Sequence, residues 1–271
     1  MASSPRNKGN IRPPAVAGTF YPGEPAALRR MTGSFLHAAR RASVAGVRAI
    51  IAPHAGYVYS GPVAAEAFSA LEGLRGNLRR AVVIGPTHYM AFRGIAAPSA
   101  TAFSTPLGEM PVEEQAVEEV ASLPQLLIDD IPHGPEHALE VELPFLQTSF
   151  GALPIIPLVV GRASGDEVAE VLAQLWDPDT LLVVSSDLSH YHDYATAKRI
   201  DADTATAIEG LHERSIGAER ACGYLPIRGL LIEARRRGLA VQRLDLRNSG
   251  DTAGDRSSVV GYGAWVFVGH A

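Results

Sequence analysis

The chain has a single cysteine, Cys222, in 271 residues, so an internal disulfide framework and a CxxC zinc ribbon are both excluded. A CxxxCxxC motif is missing for the same reason, and the chain is not itself a radical-SAM enzyme. No apolar run approaches the roughly 18 to 20 residues that a membrane helix needs; residues 259–268 are among the most apolar and are interrupted by glycines. Positive charge is also short. With 24 Lys and Arg against 29 Asp and Glu the formal net charge is -5, and nothing draws the whole molecule to nucleic acid or to an anionic membrane. The phosphate-binding strings GxGxxG and GxxxxGKS/T are missing, and no GxSxG elbow surrounds Ser185 and Ser186. The first ten residues, MASSPRNKGN, lack the apolar stretch of a secretory signal. Residues 1–12 are expected to be a flexible tail on a cytoplasmic protein.

What is present is ordinary globular composition, 46% hydrophobic and 20% charged, with enough chain to bury a sizeable core. Pro25 at a first turn, followed by AALRRMTGSFLHAARRA, predicts an amphipathic helix beginning near Glu24. Short apolar runs then recur at Val47 to Ala52, Ala81 to Ile84, Ile155 to Val160 and Leu181 to Val184. Helical periods are expected around Val112 to Ala121, Ala138 to Phe150, Gly165 to Leu175, Tyr194 to His212 and Ile227 to Arg237. Two late strands, Val241 to Arg247 and Ser258 to Val268, flank a glycine-bearing loop. Continuous apolar strands separated by helices indicate an α/β fold, a central mostly parallel sheet with helices on both faces. One domain, residues 13–271, is expected.

In such sheets ligands gather beyond the carboxyl ends of the strands. His54 follows AIIAP, His88 follows VVIGP, and Asp187 and His190 follow LLVVSS. Any one of these alone reads as an ordinary hydrogen-bonded loop residue. Three strand ends carrying them together read as a constellation. Asp187 also suits a helix N-cap. Cys222, just ahead of Pro226, reads either as a small buried hydrophobe or as a thiol whose pKa a helix start lowers. His137 with Glu140 reads as a helix-face pair or as a histidine with an orienting carboxylate.

The strings IIAPHAGYVYSGPVAAEAF, VVIGPTHY, FSTPLGEMPV, EHALEVELPFLQ, PIIPLVVG, VVSSDLSHY and ACGYLPIRGLL occur in this order. They resemble the MEMO family, known in bacteria and archaea as AmmeMemoRadiSam system protein B, from about Pro14 to Val268. The resemblance implies a fold like that of class III, LigB-type extradiol dioxygenases. It implies that His54, His88 and Cys222 bind a metal, and that Asp187, His190 and His137 are catalytic groups beside it, with His190 in an acid/base position. It also implies association with AMMECR-type and radical-SAM proteins.

A thiolate in place of the carboxylate of a facial triad softens the site, so iron or copper is expected, with zinc compatible. If Asp187 or Glu140 reached the metal, a carboxylate triad would be restored. The leading expectation is a redox or oxygen-related role on a small substrate. The alternatives are a non-catalytic module binding a peptide or anion, with Arg93, Arg228 and Arg256 supplying contacts, and an extradiol-type dioxygenase.

Overall fold

The computed structural model describes residues 9–39 and 44–269. Residues 1–8 of the expected tail lie outside the described residues, and its end is not a tail. β1 (Ile11–Arg12) is a short strand in which Arg12 is buried. α1 (Pro25–Ala38) follows, capped by the Glu24 carboxylate, which accepts from the amides of Ala26 and Ala27. Next come β2 (Val47–Ala52), α2 (Tyr57–Ser69) and β3 (Arg80–Pro86). Four short strands have no counterpart among the expected elements: β4 (Ile95–Ala97), β5 (Ala102–Thr105), β6 (Gly108–Pro111) and β7 (Leu126–Ile128). α3 (Glu114–Val120) lies between the last two.

The second half contains α4 (Leu143–Phe150), β8 (Ile155–Val160), α5 (Gly165–Leu175), β9 (Thr180–Ser185) and β10 (His190–His192). It closes with α6 (Tyr194–Glu209), α7 (Tyr224–Arg236), β11 (Ala240–Asn248), α8 (Ser249–Thr252) and β12 (Val259–Val268). The helix expected from Ala138 starts at Leu143, after a 3-10 turn at Glu140–Glu142. That turn is buried rather than presented to solvent, because its carboxylates are engaged by other parts of the chain. The helix expected to run to His212 stops at Glu209, where Gly210 caps it.

The main sheet runs in the order β10-β12-β2-β9-β3-β8-β4-β7, with β11 also paired to β12. Its four central strands, β2, β9, β3 and β8, are parallel. The flanks reverse direction, since β12 is antiparallel to β2 and β4 to β8. The sheet is therefore mixed around a parallel core. β1, β5 and β6 form a separate three-stranded sheet.

α2 packs on β2, β11 and β12 and is flanked by α1 and α4; α7 packs on β3 and β9 beside α5, and α6 covers β11 and β12. Covering the core strands on both faces explains their unbroken apolar sequence. Ile50, Ile51, Val82, Val83, Ile84, Leu182, Val183 and Val184 have no exposure to solvent. Because β2, β9 and β3 are adjacent and parallel, their carboxyl ends open on one edge of the molecule. This adjacency brings together residues more than 130 positions apart in sequence.

Candidate metal centre

His54 comes two residues after β2, once Pro53 has ended the strand, and its ring is almost fully buried. Its backbone amide donates to Asp187 Oδ1 at 2.8 Å, and its Nδ1 lies 2.8 Å from Ser185 Oγ at the end of β9. The Ser185 hydroxyl has its own acceptor in the Ala138 carbonyl at 2.6 Å. Ser185 Oγ is thus free to accept from His54 Nδ1–H, which leaves Nε2 with its lone pair. Behind Ser185, at 2.8 Å, stands Glu142, fully buried. Burial, with the nearby Asp187 charge, pushes the Glu142 carboxyl well above its ordinary range, against the hydrogen bond it accepts from the Ser185 hydroxyl.

His88 follows β3 and is held by a different carboxylate. Glu136 accepts from the His88 amide at 2.6 Å, from His88 Nδ1–H at 2.8 Å and from the Ala138 amide at 2.9 Å. Burial alone would raise the Glu136 carboxyl, but the His88 ring and these amides outweigh it and leave it below its ordinary value. Nδ1 of His88 is therefore occupied and Nε2 is free, as in histidines that bind a metal through one ring nitrogen while a carboxylate orients the other.

Cys222 precedes α7, and the approach of that helix start to β9 depends on its neighbour. A Cβ on Gly223 would lie 2.8 Å from the Ser185 carbonyl oxygen and 2.7 Å from Ser186 Cβ. Only glycine lets the segment seat against the strand end, where the Gly223 amide donates to Ser186 Oγ at 2.9 Å. The sulfur of Cys222 reaches 3.3 Å from His54 Nε2. Burial, and then the Asp187 charge, push the thiol up. The lowering expected from a helix start is overridden, and without an ion the thiol keeps its proton.

One ligand atom each from His54, His88 and Cys222 lies within 4.8 Å of the others. Two imidazoles with outward Nε2 atoms and one sulfur match the donor set of a soft transition-metal site. Neither carboxylate considered as a replacement ligand joins this group. Asp187 takes the His54 amide instead, and Glu140 is spent elsewhere. Its two oxygens accept from the Arg12 guanidinium, the Tyr21 hydroxyl and the amides of Ala15 and Val16. Arg12 also donates to the carbonyls of His133 at 3.0 Å and Glu136 at 2.6 Å, so β1 pins the loop that carries Glu136.

Asp187, His190 and His137 line a cavity of about 620 Å³ that opens beside the two metal-site histidines. Burial raises Asp187 to about 7, partly offset by the His54 amide. Burial lowers His190, which sits on β10 next to Tyr191, a non-glycine residue at a left-handed φ of 62°. His137 stacks on His88 with ring centroids 4.5 Å apart and packs against Phe20 at 4.8 Å. Burial and then His88 bring it down to about 4, and its buried Nδ1 has no hydrogen-bond partner. Cys222 faces a second cavity, of about 390 Å³, which it shares with His88, Tyr89, Arg162 and Leu225.

The three arginines expected to supply contacts, of which Arg228 lies on α7, do not line the larger cavity. Arg256 lies over Tyr194, Arg228 over Tyr224 with Nε on the Ile216 carbonyl, and Arg93 pairs through its backbone with Arg162. The orienting residues Glu136, Glu142 and Ser185 were not singled out by sequence. Glu136 had one visible signal, its place directly before His137.

Residues 12–266 match the family described as Memo-like protein. A MEMO1 family protein of Sulfolobus acidocaldarius is 38% identical, over 93% of this chain and 97% of its own length. MEMO1 family proteins of Thermotoga maritima and Aquifex aeolicus are 36% and 32% identical, over 93% and 95% of this chain and 97% and 99% of their own lengths. Among solved structures, an uncharacterized protein of Escherichia coli K12 aligns with a TM-score of 0.54 at 14% identity, covering 81% of this chain and 99% of its own, a likeness of fold alone.

Proposed function

The chain belongs to the Memo-like protein family, and from that premise we propose that it holds one transition-metal ion between His54, His88 and Cys222 and performs redox or oxygen-related chemistry on a small substrate. The observation that carries this reading is the pairing of donors with orienters. Both Nδ1 atoms are taken, by Ser185 and Glu136, and one ligand atom from each of His54, His88 and Cys222 lies within 4.8 Å of the others. Iron and copper fit the soft donor set and the redox role; zinc fits the donors without the redox couple. When bound, the ion would supply Lewis acidity and, as iron or copper, a one-electron couple.

The protein's own residues do the rest. Cys222 gives up its proton on loading, so loading releases one proton per site. Asp187, near 7, exchanges a proton at working pH. His190 is kept neutral by burial and accepts a proton from a substrate in the cavity. His137 presents an uncharged ring at the same wall. A thiolate stands where an extradiol triad has a carboxylate, so the proposal stops short of ring cleavage. Oxygen uptake over catechols by Fe(II)-loaded protein, above a His54→Ala background, would extend it that far. A cytoplasmic location and association with AMMECR-type and radical-SAM proteins belong to the same proposal, and co-purification from the native host tests the association.

Elemental analysis of protein purified from its native host tests the metal. About one equivalent of iron or copper per chain is expected, and the His54→Ala/His88→Ala double variant should carry none. Stoichiometric metal retained in that variant would dismiss the assignment.

A further inference from the structure

The larger cavity has aromatic residues and carboxyl groups in its wall. Phe20, Tyr59, Tyr191 and Tyr262 contribute aromatic rings to it, and among the described residues no Lys or Arg lines it. Asp187 and Asp255 are its acidic groups. Asp255 is fixed at the rim by its own loop, accepting from the Ser257 amide at 3.0 Å and the Ser257 hydroxyl at 2.8 Å, contacts that hold its carboxyl below its ordinary value. His88 is paired to Glu136, and His137 stacks on its ring with centroids 4.5 Å apart. Arg256, next to Asp255 in sequence, and Lys198 lie over the ring of Tyr194, at 4.5 Å and 5.4 Å from its centroid. His137, at 9% exposure, has a buried Nδ1 that lies 3.4 Å from Glu136 Oε1 without a hydrogen bond.

We infer that this cavity takes a small aromatic ligand carrying a positive charge, an arylalkylamine in its ammonium form, and discriminates against carboxylates and phosphates. The rings receive the aromatic part by stacking and edge contacts. The same rings and the Asp255 carboxylate attract an ammonium group, through the ring quadrupole and by direct charge. A carboxylate in that place would meet Asp255, with no guanidinium or ammonium among the described residues of the wall to answer it, and the cost of desolvating it would stand uncompensated. The inference deepens the reading above and rests on it only for where the substrate lies.

Isothermal titration of the full-length protein, as purified and after chelation, tests it with three probes that share a phenol ring: tyramine, p-cresol and 4-hydroxyphenylacetate. The shared phenol cancels any contact to a metal and leaves charge as the variable. Tyramine should bind at least about ten-fold tighter than 4-hydroxyphenylacetate in both forms, with p-cresol between them. Asp255→Asn, a change on an exposed loop outside the metal-binding group, should shrink that ratio several-fold with metal content unchanged. Equal or tighter binding of 4-hydroxyphenylacetate, an unchanged ratio in Asp255→Asn, or no binding of any probe would each overturn the inference. Metal content is read separately in the same samples. Charge preference without metal would sink the redox proposal alone, and metal without charge preference would sink this one alone.

Discussion

Glu136 and Glu142 are both buried behind a metal-site histidine, yet their surroundings treat them in opposite ways. Glu136 gathers three N–H donors from His88 and Ala138 and stays ionised. Glu142 has one neutral partner, Ser185, and an orphaned Oε2, and burial keeps its proton on. The two imidazoles are therefore unequal ligands. His88 is backed by full negative charge, whereas His54 is backed by a hydroxyl that only fixes its tautomer and aim. A site that buries several carboxyls can ionise only those it surrounds with donors.

The largest effect is expected on the Glu136 side, through its anchor. Arg12→Met leaves the Glu140 carboxylate buried without its partner and frees the carbonyls of His133 and Glu136. It should cost about 3–5 kcal/mol, read as a drop in denaturation midpoint, and should loosen metal retention along with it. A variant of parental stability would mean that β1 is not part of the site's frame. Next in size is Glu136→Gln, which keeps an acceptor for His88 but removes the charge. Metal affinity by competition with a chromophoric chelator should fall about 10- to 100-fold. An equal fall in Glu142→Gln would erase the contrast between the two carboxyls.

The smallest effect belongs to Glu142→Gln, and it depends on pH. A carboxyl whose folded pKa lies above its unfolded value, about 4.3, favours folding below that value and loses the advantage as pH rises through the folded pKa. Removing the titration should therefore make the variant progressively more stable relative to the parent as pH climbs above the unfolded value. Thermal midpoints of the pair across that rise in pH measure it. A flat difference would mean that Glu142 is already ionised in the fold.

The strand-end histidines were legible because the sheet's physics is written locally. A continuous apolar run closed by Pro53 or by Gly85 and Pro86 announces a doubly covered strand and the point where its loop begins. The parallel order of β2, β9 and β3 then brings the ends together. Cys222 was not legible from composition, and only resemblance gave it a role. Glu136 and Glu142 were not legible as orienting groups because their partners lie 43 to 48 residues away in sequence. Arg12 read as part of a tail, since its acceptors come from residues more than 120 positions distant. β4 and β7, at three residues each, are too short to show any periodicity.

The donor set can be read directly by X-ray absorption at the metal edge of the loaded protein. One sulfur scatterer, near 2.3 Å for zinc and comparable for other metals, and two imidazole shells are expected, with the sulfur shell lost in Cys222→Ser. A spectrum of oxygen and nitrogen scatterers alone in the parent protein would contradict a centre built from His54, His88 and Cys222.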